Sequence, residues 1–186
     1  MLHLPVMSYK YRRFQPSIDT LQSFDCGNPD LNGFLVETSS RTPNATLYEK
    51  ERLTVTYVVE DDESHQILAY FSILNDKVER FFANSRLWNH LSRKIPNAKR
   101  KSSYPAVKIG RLAVCNEAQG SGLGREILYF IKEWFYRNPR AGCRFITVDA
   151  LRSAEAFYEK CQFRPLYDAS PEDETILMYY DLKRGI

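Results

Sequence analysis

Residues 107–135, VKIGRLAVCNEAQGSGLGREILYFIKEWF, decide the fold of this chain. Residues 107–114 are mostly apolar and rich in β-branched and aliphatic side chains, which predicts a buried strand. Residues 119–124, QGSGLG, form a glycine-dense turn. After Arg125, apolar residues recur at helical spacing, and they are Ile127, Leu128, Ile131, Trp134 and Phe135. Strand, glycine turn and helix in this order predict a phosphate site, because the first N–H groups of a helix have no partner inside it.

Two common phosphate-binding patterns do not fit this turn. A P-loop has a Lys-Ser or Lys-Thr pair after its last glycine, where this chain has Arg125-Glu126. A dinucleotide fingerprint reads GxGxxG and lies in the first strand–helix unit. Here the glycines are Gly120, Gly122 and Gly124, past the middle of the chain. A nucleotide-dependent oxidoreductase is therefore disfavoured.

A family resemblance rests on three elements in order. Gln119-x-x-Gly122-x-Gly124, after the strand GRLAV at 110–114, resembles the acyl-CoA pyrophosphate loop of the GNAT N-acetyltransferases. Residues 144–150, RFITVDA, resemble the family's next strand, and residues 153–163, SAEAFYEKCQF, resemble its helix ending in FYEKxGF. The resemblance covers residues 105–182 well and the N-terminal half loosely.

This resemblance implies a fold and a co-substrate. The fold is α/β, with a mixed, mostly antiparallel central sheet flanked by helices and splayed at the two central parallel strands, 107–114 and 145–148. Residues 1–186 would form one GNAT domain with a basic insertion at about 81–106. The activity implied is transfer of an acetyl group from acetyl-CoA to a primary amine, directly and within a ternary complex.

The resemblance also assigns site residues. The residues that would bind acetyl-CoA, chiefly through their backbones, are Leu112, Ala113, Val114, Gln119, Gly120, Ser121, Gly122, Leu123, Gly124 and Arg125. Tyr158 matches the tyrosine that serves as general acid beside the CoA sulfur. A phenol has a pKa near ~10 and stays protonated at neutral pH, so it can donate to a forming thiolate. Arg111 is expected either to contact substrate or to form a surface ion pair.

A general base is not assigned. Asp149, Glu117 and Glu60 are candidates only because they lie near strand ends, and each is better explained as a structural or solvated carboxylate. An acceptor amine with a low pKa, such as that of an aminoacyl ester, would need no dedicated base.

Composition predicts a soluble globular domain without a metal. The chain has 186 residues, of which 44% are hydrophobic and 26% charged. No apolar run approaches the ~20 residues of a membrane span, and the first residues lack the apolar core of a signal peptide. The 4 cysteines form no CxxC and the 3 histidines are scattered, so metal-ligand spacing is absent. A cytoplasmic enzyme with reduced cysteines is expected.

Charge is unevenly distributed along the chain. No acidic residue occurs between Glu79 and Glu117, whereas the cations in that interval are Arg80, Arg86, Arg93, Lys94, Lys99, Arg100, Lys101, Lys108 and Arg111. Leu87, Leu91 and Ile95 predict a short amphipathic helix that ends at Pro96, followed by a basic loop at 97–104. This segment is either a solvated surface run or a collar for an acidic partner, the phosphates of CoA or nucleic acid.

The flanking segments complete the predicted fold. Asn28 predicts the N-cap of a helix with Pro29 in its first position, and this start resembles that of a GNAT branch containing toxins that acetylate aminoacyl-tRNA. Strands are predicted at 9–14, 53–60, 66–74 and 175–182, and a turn at 39–44. Ser153 is the predicted N-cap of the helix that carries Tyr158. The inward stripe predicted for that helix is Ala154, Phe157 and Cys161.

Several acceptors fit the sequence. A small amine, a protein lysine or N-terminus, and aminoacyl-tRNA are all compatible with it, and tRNA is the acceptor that would explain the basic segment. A different class of function is a non-catalytic CoA-binding protein that has kept the fold. No membrane partner is expected, and a homodimer is left open.

Overall fold

The computed structural model describes residues 8–20, 23–36, 42–80, 83, 85–93, 95, 102–138 and 141–183. The strands are β1 (Tyr9–Arg13), β2 (Val55–Asp61), β3 (Ile67–Glu79), β4 (Ser103–Val114), β5 (Phe145–Leu151), β6 (Arg164–Pro165) and β7 (Thr175–Asp181). The α-helices are α1 (Pro16–Asp19), α2 (Pro29–Leu35), α3 (Asn44–Lys50), α4 (Ser85–Ser92), α5 (Leu123–Arg137) and α6 (Glu155–Lys160). Two 3₁₀ turns, Asn116–Ala118 and Arg152–Ala154, precede α5 and α6.

The described strands form a seven-stranded sheet in the order β1-β2-β3-β4-β5-β7-β6. Strands β1 and β2, β2 and β3, β5 and β7, and β6 and β7 pair antiparallel. Strands β4 and β5 pair parallel, from Ala106 opposite Phe145 to Ile109 opposite Val148. The predicted α/β class, the mostly antiparallel sheet and the adjacent parallel central strands are confirmed.

The chain divides into two compact units. The first unit contains Met1–Leu74 and Gly110–Glu126, and the second contains Asn75–Ile109 and Ile127–Ile186. A single domain over residues 1–186 stays a prediction. Within the described ranges, every helix is too short or too polar to cross a bilayer.

In the first unit, α2 begins where the sequence predicts. The Asn28 side chain accepts hydrogen bonds from the N–H groups of Asp30 and Leu31 at 3.0 and 3.2 Å, with Pro29 in the first position of the helix. Phe34 stacks on Tyr70 of β3 at 5.8 Å between ring centroids. The Tyr70 hydroxyl donates to the Leu31 carbonyl at 2.7 Å. These contacts pack α2 on the sheet.

The edge strand β1 of the first unit is held by ion pairs. The Arg12 guanidinium donates to both carboxylate oxygens of the fully buried Asp19, at 2.7 and 2.9 Å, and also to Glu60 of β2. Burial alone would raise the pKa of Glu60, but hydrogen bonds from Lys10, Arg12 and His65 lower it to about 2. A carboxylate held in this way is a structural group.

In the second unit, α4 covers an aromatic cluster. Trp88 stacks on Tyr104 with ring centroids 5.0 Å apart, and Tyr104 lies beside Phe145. Leu91 joins the same buried cluster, and Leu87 and Ile95 pack partly against it. An amphipathic helix is confirmed here, with bounds Ser85–Ser92, but its predicted end at Pro96 is wrong, because Ile95 packs on the cluster from outside the helix. Pro96 and residues 97–101 of the predicted basic loop lie outside the described residues, and the last two residues of that predicted loop, Ser103 and Tyr104, belong to β4.

Several predicted boundaries are wrong. Strand β4 begins at Ser103 and not at 107, β3 continues to Glu79 and not only to 74, and β5 continues to Leu151. The added residues include isolated buried side chains such as Val78, which leave little periodic signal in sequence. Helix α3, whose first residue Asn44 falls in the predicted turn at 39–44, was not predicted, and residues 39–41 lie outside the described ranges.

Two predictions about α6 are also wrong. Ser153 is not its N-cap, because residues Arg152–Ala154 form a 3₁₀ turn and Ala154 occupies the N-cap position without a side-chain hydrogen bond. The buried face consists of Tyr158 and Cys161, whereas Ala154 and Phe157 are half-buried. The predicted stripe required a longer helix, but α6 has only 6 residues.

None of the 4 cysteines, all of which lie in the described ranges, forms a disulfide bond. Cys115 and Cys161 are buried, and Cys26 and Cys143 are half-buried. Burial is the largest cause that raises the pKa of Cys26, Cys115 and Cys143. A protonated thiol is a poor nucleophile.

Candidate active site

The glycine turn connects β4 to α5 and lies in the first unit. Gly120 and Gly122 have φ of +77° and +96°, a region that side chains disfavour. The Ser121 hydroxyl donates to the Ala118 carbonyl at 2.7 Å and accepts from the Leu123 N–H at 3.3 Å, so it organises the start of the helix. Leu123 is buried and Arg125 is exposed. The turn therefore presents backbone with few side chains at the positive end of α5.

This turn fits a pyrophosphate group. Within the described part of the chain, the N–H groups of Gly120, Gly122 and Gly124 have no hydrogen-bond acceptor. A Cβ atom added at Gly120 or Gly122 would meet no heavy atom within 4 Å, so the backbone faces open space. Unpaired N–H donors at the start of a helix are suited to anions.

Gln119 connects the glycine turn, through hydrogen bonds, to the segment that precedes α2. Its side-chain amide donates to the carbonyls of Cys26 and Val114, both at 3.0 Å. Two further hydrogen bonds stabilise the same region. The Asn116 N–H donates to the Asp25 carbonyl at 2.8 Å, and the Asn32 amide donates to the Asp25 carboxylate at 2.7 Å. The sequence identified Gln119 but not this contact, which joins residues far apart in the chain.

The end of β4 has backbone groups that can pair with an extended ligand. Strand β4 runs to Val114, but its pairing with β5 ends at Ile109 opposite Val148. Ala113 is buried, and Leu112 and Val114 are half-buried. The predicted contacts of the pantetheine arm involve the main chain of these residues and not their side chains.

Arg111 lies in the first unit near α2. Its guanidinium carbon is 5.3 Å from the centroid of the Phe34 ring, and Nη2 is 3.6 Å from the carboxylate of Asp30. Asp30 is 75% exposed, so this ion pair is at the surface. The buried Nε atom has no hydrogen-bond partner among the described residues. Of the two expectations for Arg111, the surface ion pair is observed, and substrate contact stays a prediction.

Tyr158 lies in the second unit, on helix α6. Its residue is 6% exposed, and its ring packs edge-on against Phe157 and Phe163 at 5.1 and 5.5 Å. Burial, with a smaller effect from Cys161, raises the pKa of Tyr158 above its ordinary value. The hydroxyl therefore remains a proton donor throughout the physiological pH range.

Two residues beside Tyr158 were not predicted as site residues. Lys132 of α5 is buried and donates to the Cys161 carbonyl at the end of α6. Gln162, the next residue, has a φ of +66°. A signal for Lys132 exists in sequence, because a lysine close to Leu128, Ile131 and Phe135 at helical spacing lies within the apolar stripe of α5.

The candidate bases are engaged elsewhere or exposed. Glu60 belongs to the ion-pair network of β1, and its low pKa makes it a weak base. The Asp149 carboxylate pairs with the Lys108 ammonium group. Glu117 is an exposed residue of the 3₁₀ turn before the glycines. The structure thus offers no strong base among these three.

Helix α4 has a basic exposed face in the second unit. The exposed cations are Arg86 and His90 of α4 and Arg93, which directly follows its last residue, Ser92. They are spaced at positions i, i+4 and i+7, opposite the buried Trp88 and Leu91. His90 also lines an open cavity of about 550 Å³ together with Arg164, Tyr179, Tyr180 and Asp181. The basic face of α4 consists of Arg86, His90 and Arg93.

The family model of the acetyltransferase (GNAT) domain matches residues 53–165. The chain belongs to the GNAT family. This GNAT protein is an acyltransferase that uses acetyl-CoA, and the glycine turn and the end of β4 both lie inside the matched segment. No match was found among curated proteins. Within the described ranges, no cluster of three His, Cys, Asp or Glu side chains is arranged to hold a metal ion.

Solved structures share the fold along almost the whole chain. A complex of AtaT with acetyl-methionyl-tRNAfMet is 23% identical with a TM-score of 0.72, covering 95% of this chain and 96% of that one. A tyrosine-to-phenylalanine mutant of KacT is 21% identical with a TM-score of 0.73, covering 94% and 95%. AtaTR bound with AcCoA is 22% identical with a TM-score of 0.69, covering 94% of each chain. At these identities the likeness is one of fold.

Proposed function

We propose that this GNAT acetyltransferase transfers the acetyl group of acetyl-CoA to the α-amino group of an aminoacyl-tRNA. The observation that carries the proposal is the basic face of α4. The structural likeness to AtaT supports it, since that likeness includes the N-terminal helices outside the segment matched by the family model.

The basic face of α4 suits the sugar–phosphate backbone of RNA. A helical rise of about 1.5 Å per residue separates Arg86 and Arg93 by roughly 10 Å along the helix axis. Two long side chains at this separation can contact different phosphates of one strand. Among the described residues, neither arginine forms an ion pair. Cations without carboxylate partners neutralise phosphates and release counterions, which is the main source of affinity for nucleic acid.

The acid–base properties of the site support an α-amino acceptor. An α-amino group has a pKa of about 8, against about 10.4 for a lysine side chain, so a useful fraction is neutral at pH 7. Attack on a thioester requires this neutral form. Because Glu60 and Asp149 are held in ion pairs, the site suits an amine that loses its proton to water.

Each step of transfer has a residue in a defined role. The acceptor nitrogen attacks the thioester carbonyl while the backbone near Val114 donates to the carbonyl oxygen, which stabilises the developing charge. The new C–N bond forms, the C–S bond breaks, and the Tyr158 hydroxyl protonates the departing thiolate. The amine proton leaves to solvent, and the Tyr158 phenolate takes a proton back from solvent. Both substrates are bound when the acetyl group moves, so no acetyl-enzyme forms.

Transfer of radiolabel from acetyl-CoA tests this proposal. Charged total tRNA, deacylated tRNA and a panel of small amines and peptides are compared, with the wild-type protein and Tyr158→Phe. We expect label in charged tRNA only, loss of that label on mild alkaline deacylation, and a fall in rate of about 10²–10⁴-fold in Tyr158→Phe, the usual worth of a general acid.

Each alternative outcome identifies a different function. Label in small amines or peptides but not in charged tRNA would overturn the tRNA assignment and indicate a metabolic or protein acetyltransferase. Binding of CoA without turnover on any acceptor would indicate a non-catalytic CoA-binding protein. Unchanged turnover in Tyr158→Phe would remove the acid role of Tyr158 while leaving the acceptor assignment intact.

A further inference from the structure

Helix α6 ends in a Schellman motif that holds Tyr158. The Phe163 N–H donates to the Tyr158 carbonyl at 3.0 Å, and the Gln162 N–H donates to the Glu159 carbonyl at 2.8 Å. These are the two hydrogen bonds that define the motif, with Cys161 as the C-cap. The apolar contact that usually accompanies it is the edge-on packing of the Tyr158 and Phe163 rings at 5.5 Å. The orientation of Tyr158 therefore depends on this turn.

The turn has an unfavourable residue at its left-handed position. Gln162 has a φ of +66°, and it stands where the family pattern FYEKxGF has glycine. A residue with a Cβ atom is strained in this conformation, which persists only when neighbouring groups hold it. The turn of this chain therefore requires a support that a glycine would not need.

Lys132 contacts this turn from α5. Its Nζ atom donates to the Cys161 carbonyl, the carbonyl directly before Gln162. The same atom lies 3.8 Å from the centroid of the Tyr180 ring and 5.2 Å from that of Phe163. The residue is only 7% exposed, and no carboxylate among the described residues pairs with it. Burial lowers the pKa of Lys132 to about 8.

A buried ammonium group of this kind is costly unless its hydrogen bond serves the structure around it. The carbonyl it reaches belongs to the peptide group whose rotation would release Gln162 from its left-handed conformation. The ammonium group also lies over the rings of Phe163, the last residue of the motif, and Tyr180 of β7. These cation–π contacts hold it at the turn.

We propose that Lys132 is a positioning residue for Tyr158, which it orients by holding the strained turn at the end of α6. This proposal rests on the proposed role of Tyr158 as the proton donor. It requires no contact of Lys132 with either substrate.

The test combines Lys132→Met with a change that removes the strain. For Lys132→Met we expect kcat to fall by about tenfold with KM for acetyl-CoA unchanged, because a displaced acid affects the chemical step. Adding Gln162→Gly should restore kcat to within about twofold, since glycine adopts positive φ without support. The control Lys160→Met removes an exposed lysine from α6, the helix that carries Tyr158, and should leave kcat unchanged.

A third comparison shows whether Lys132 acts through Tyr158. In the Tyr158→Phe background, Lys132→Met should cause no further fall in kcat, since the two changes remove the same contribution. The proposal would be overturned if the decreases in kcat of Lys132→Met and Tyr158→Phe multiplied in the double variant. It would also be overturned if Gln162→Gly did not restore the kcat of Lys132→Met. If Lys132→Met does not fold, recovery of folding and turnover by Gln162→Gly supports it, and failure to recover refutes it. Loss of activity in Tyr158→Phe, measured alone, is the separate test of the acid role.

Discussion

At the scale of single residues, the site depends on backbone conformation more than on side chains. Gly120 and Gly122 take positive φ in open space, whereas Gln119 and Ser121 hold the turn through hydrogen bonds to carbonyl groups. A β-carbon at Gly122 disfavours the positive φ of this residue, and therefore the anion-binding conformation that is proposed for the turn.

Gly122→Ala should weaken acetyl-CoA binding by about tenfold, which corresponds to the cost of about 1–2 kcal/mol for a side chain in the left-handed region. Isothermal titration with acetyl-CoA measures the effect. Gly142→Ala is the control, because Gly142 has no positive φ and its added Cβ also meets nothing within 4 Å. Equal affinity of the two variants would contradict the assigned role of the turn.

At the scale of elements, the contacts at the start of α2 and at the end of α6 differ in free energy. Helix α2 begins on the favourable cap of Asn28, whereas α6 ends on the strained conformation of Gln162. Tyr158 lies at this strained end of α6. The stability of the turn therefore depends on the residues that pack against it, and chiefly on Lys132.

Gln162→Gly should stabilise the protein by about 1 kcal/mol, because it removes the side chain from a left-handed position where glycine is preferred. Thermal or urea unfolding measures the change. In contrast, Lys160→Gly places glycine at the last residue of α6 and should destabilise the protein, by at most about 1 kcal/mol, the cost of glycine in a helix interior. A destabilised Gln162→Gly variant would show that the glutamine side chain contributes more than its backbone conformation costs.

The ion pairs between β1 and β2 predict a pH dependence of stability. The pKa of Glu60 is about 2 in the folded protein against an ordinary 4.5, so its ion pairs add stability above pH 4.5 and lose it as the pH falls through about 2. Glu60→Gln should be less stable than wild type by about 2 kcal/mol at pH 7. Urea unfolding should show this gap narrowing between pH 5 and pH 2, whereas Glu63→Gln, in an exposed turn, should show no gap at any pH.

At the scale of the whole molecule, charge is segregated although its sum is small. The net charge is only +3, yet the segment from Arg80 to Asn116 has no carboxylate, and its described part includes the basic face of α4. A chain of modest net charge can still bind a polyanion where its cations are concentrated.

The double variant Arg86→Ala/Arg93→Ala should weaken tRNA binding and lower the slope of log K against log salt by about 2, one for each phosphate that is no longer neutralised. Binding measured at several salt concentrations gives both quantities. Lys50→Ala/Arg52→Ala removes the same charge from the end of α3 and should leave the slope within experimental error of wild type. Equal slopes for both double variants would exclude α4 as the phosphate-binding element.

Much of the fold follows from local patterns. The strand β4, the helix that follows it, the α2 cap and the helix at Leu87 and Leu91 are all predictable, because hydrophobic period, glycine and capping residues act over a few neighbours. The glycine turn is recognisable for the same reason, since the anion-binding role proposed for it would depend on backbone that a short sequence motif specifies. The parallel pairing of β4 with β5 was implied by the family resemblance and not by these local patterns.

The contacts that support the site were decided only by the tertiary structure. Lys132 reaches the carbonyl of Cys161, Gln119 reaches that of Cys26, and Arg12 joins Asp19 to Glu60. The first two pairs are 29 and 93 positions apart in the chain, and no periodicity links such positions. The sequence by itself determined which backbone segments would form the sheet and the anion turn, because those choices are local. The side chains that support these segments come from distant parts of the chain, which meet only when the protein folds. That packing alone brings the buried Lys132 to the turn in which Gln162 has a left-handed conformation.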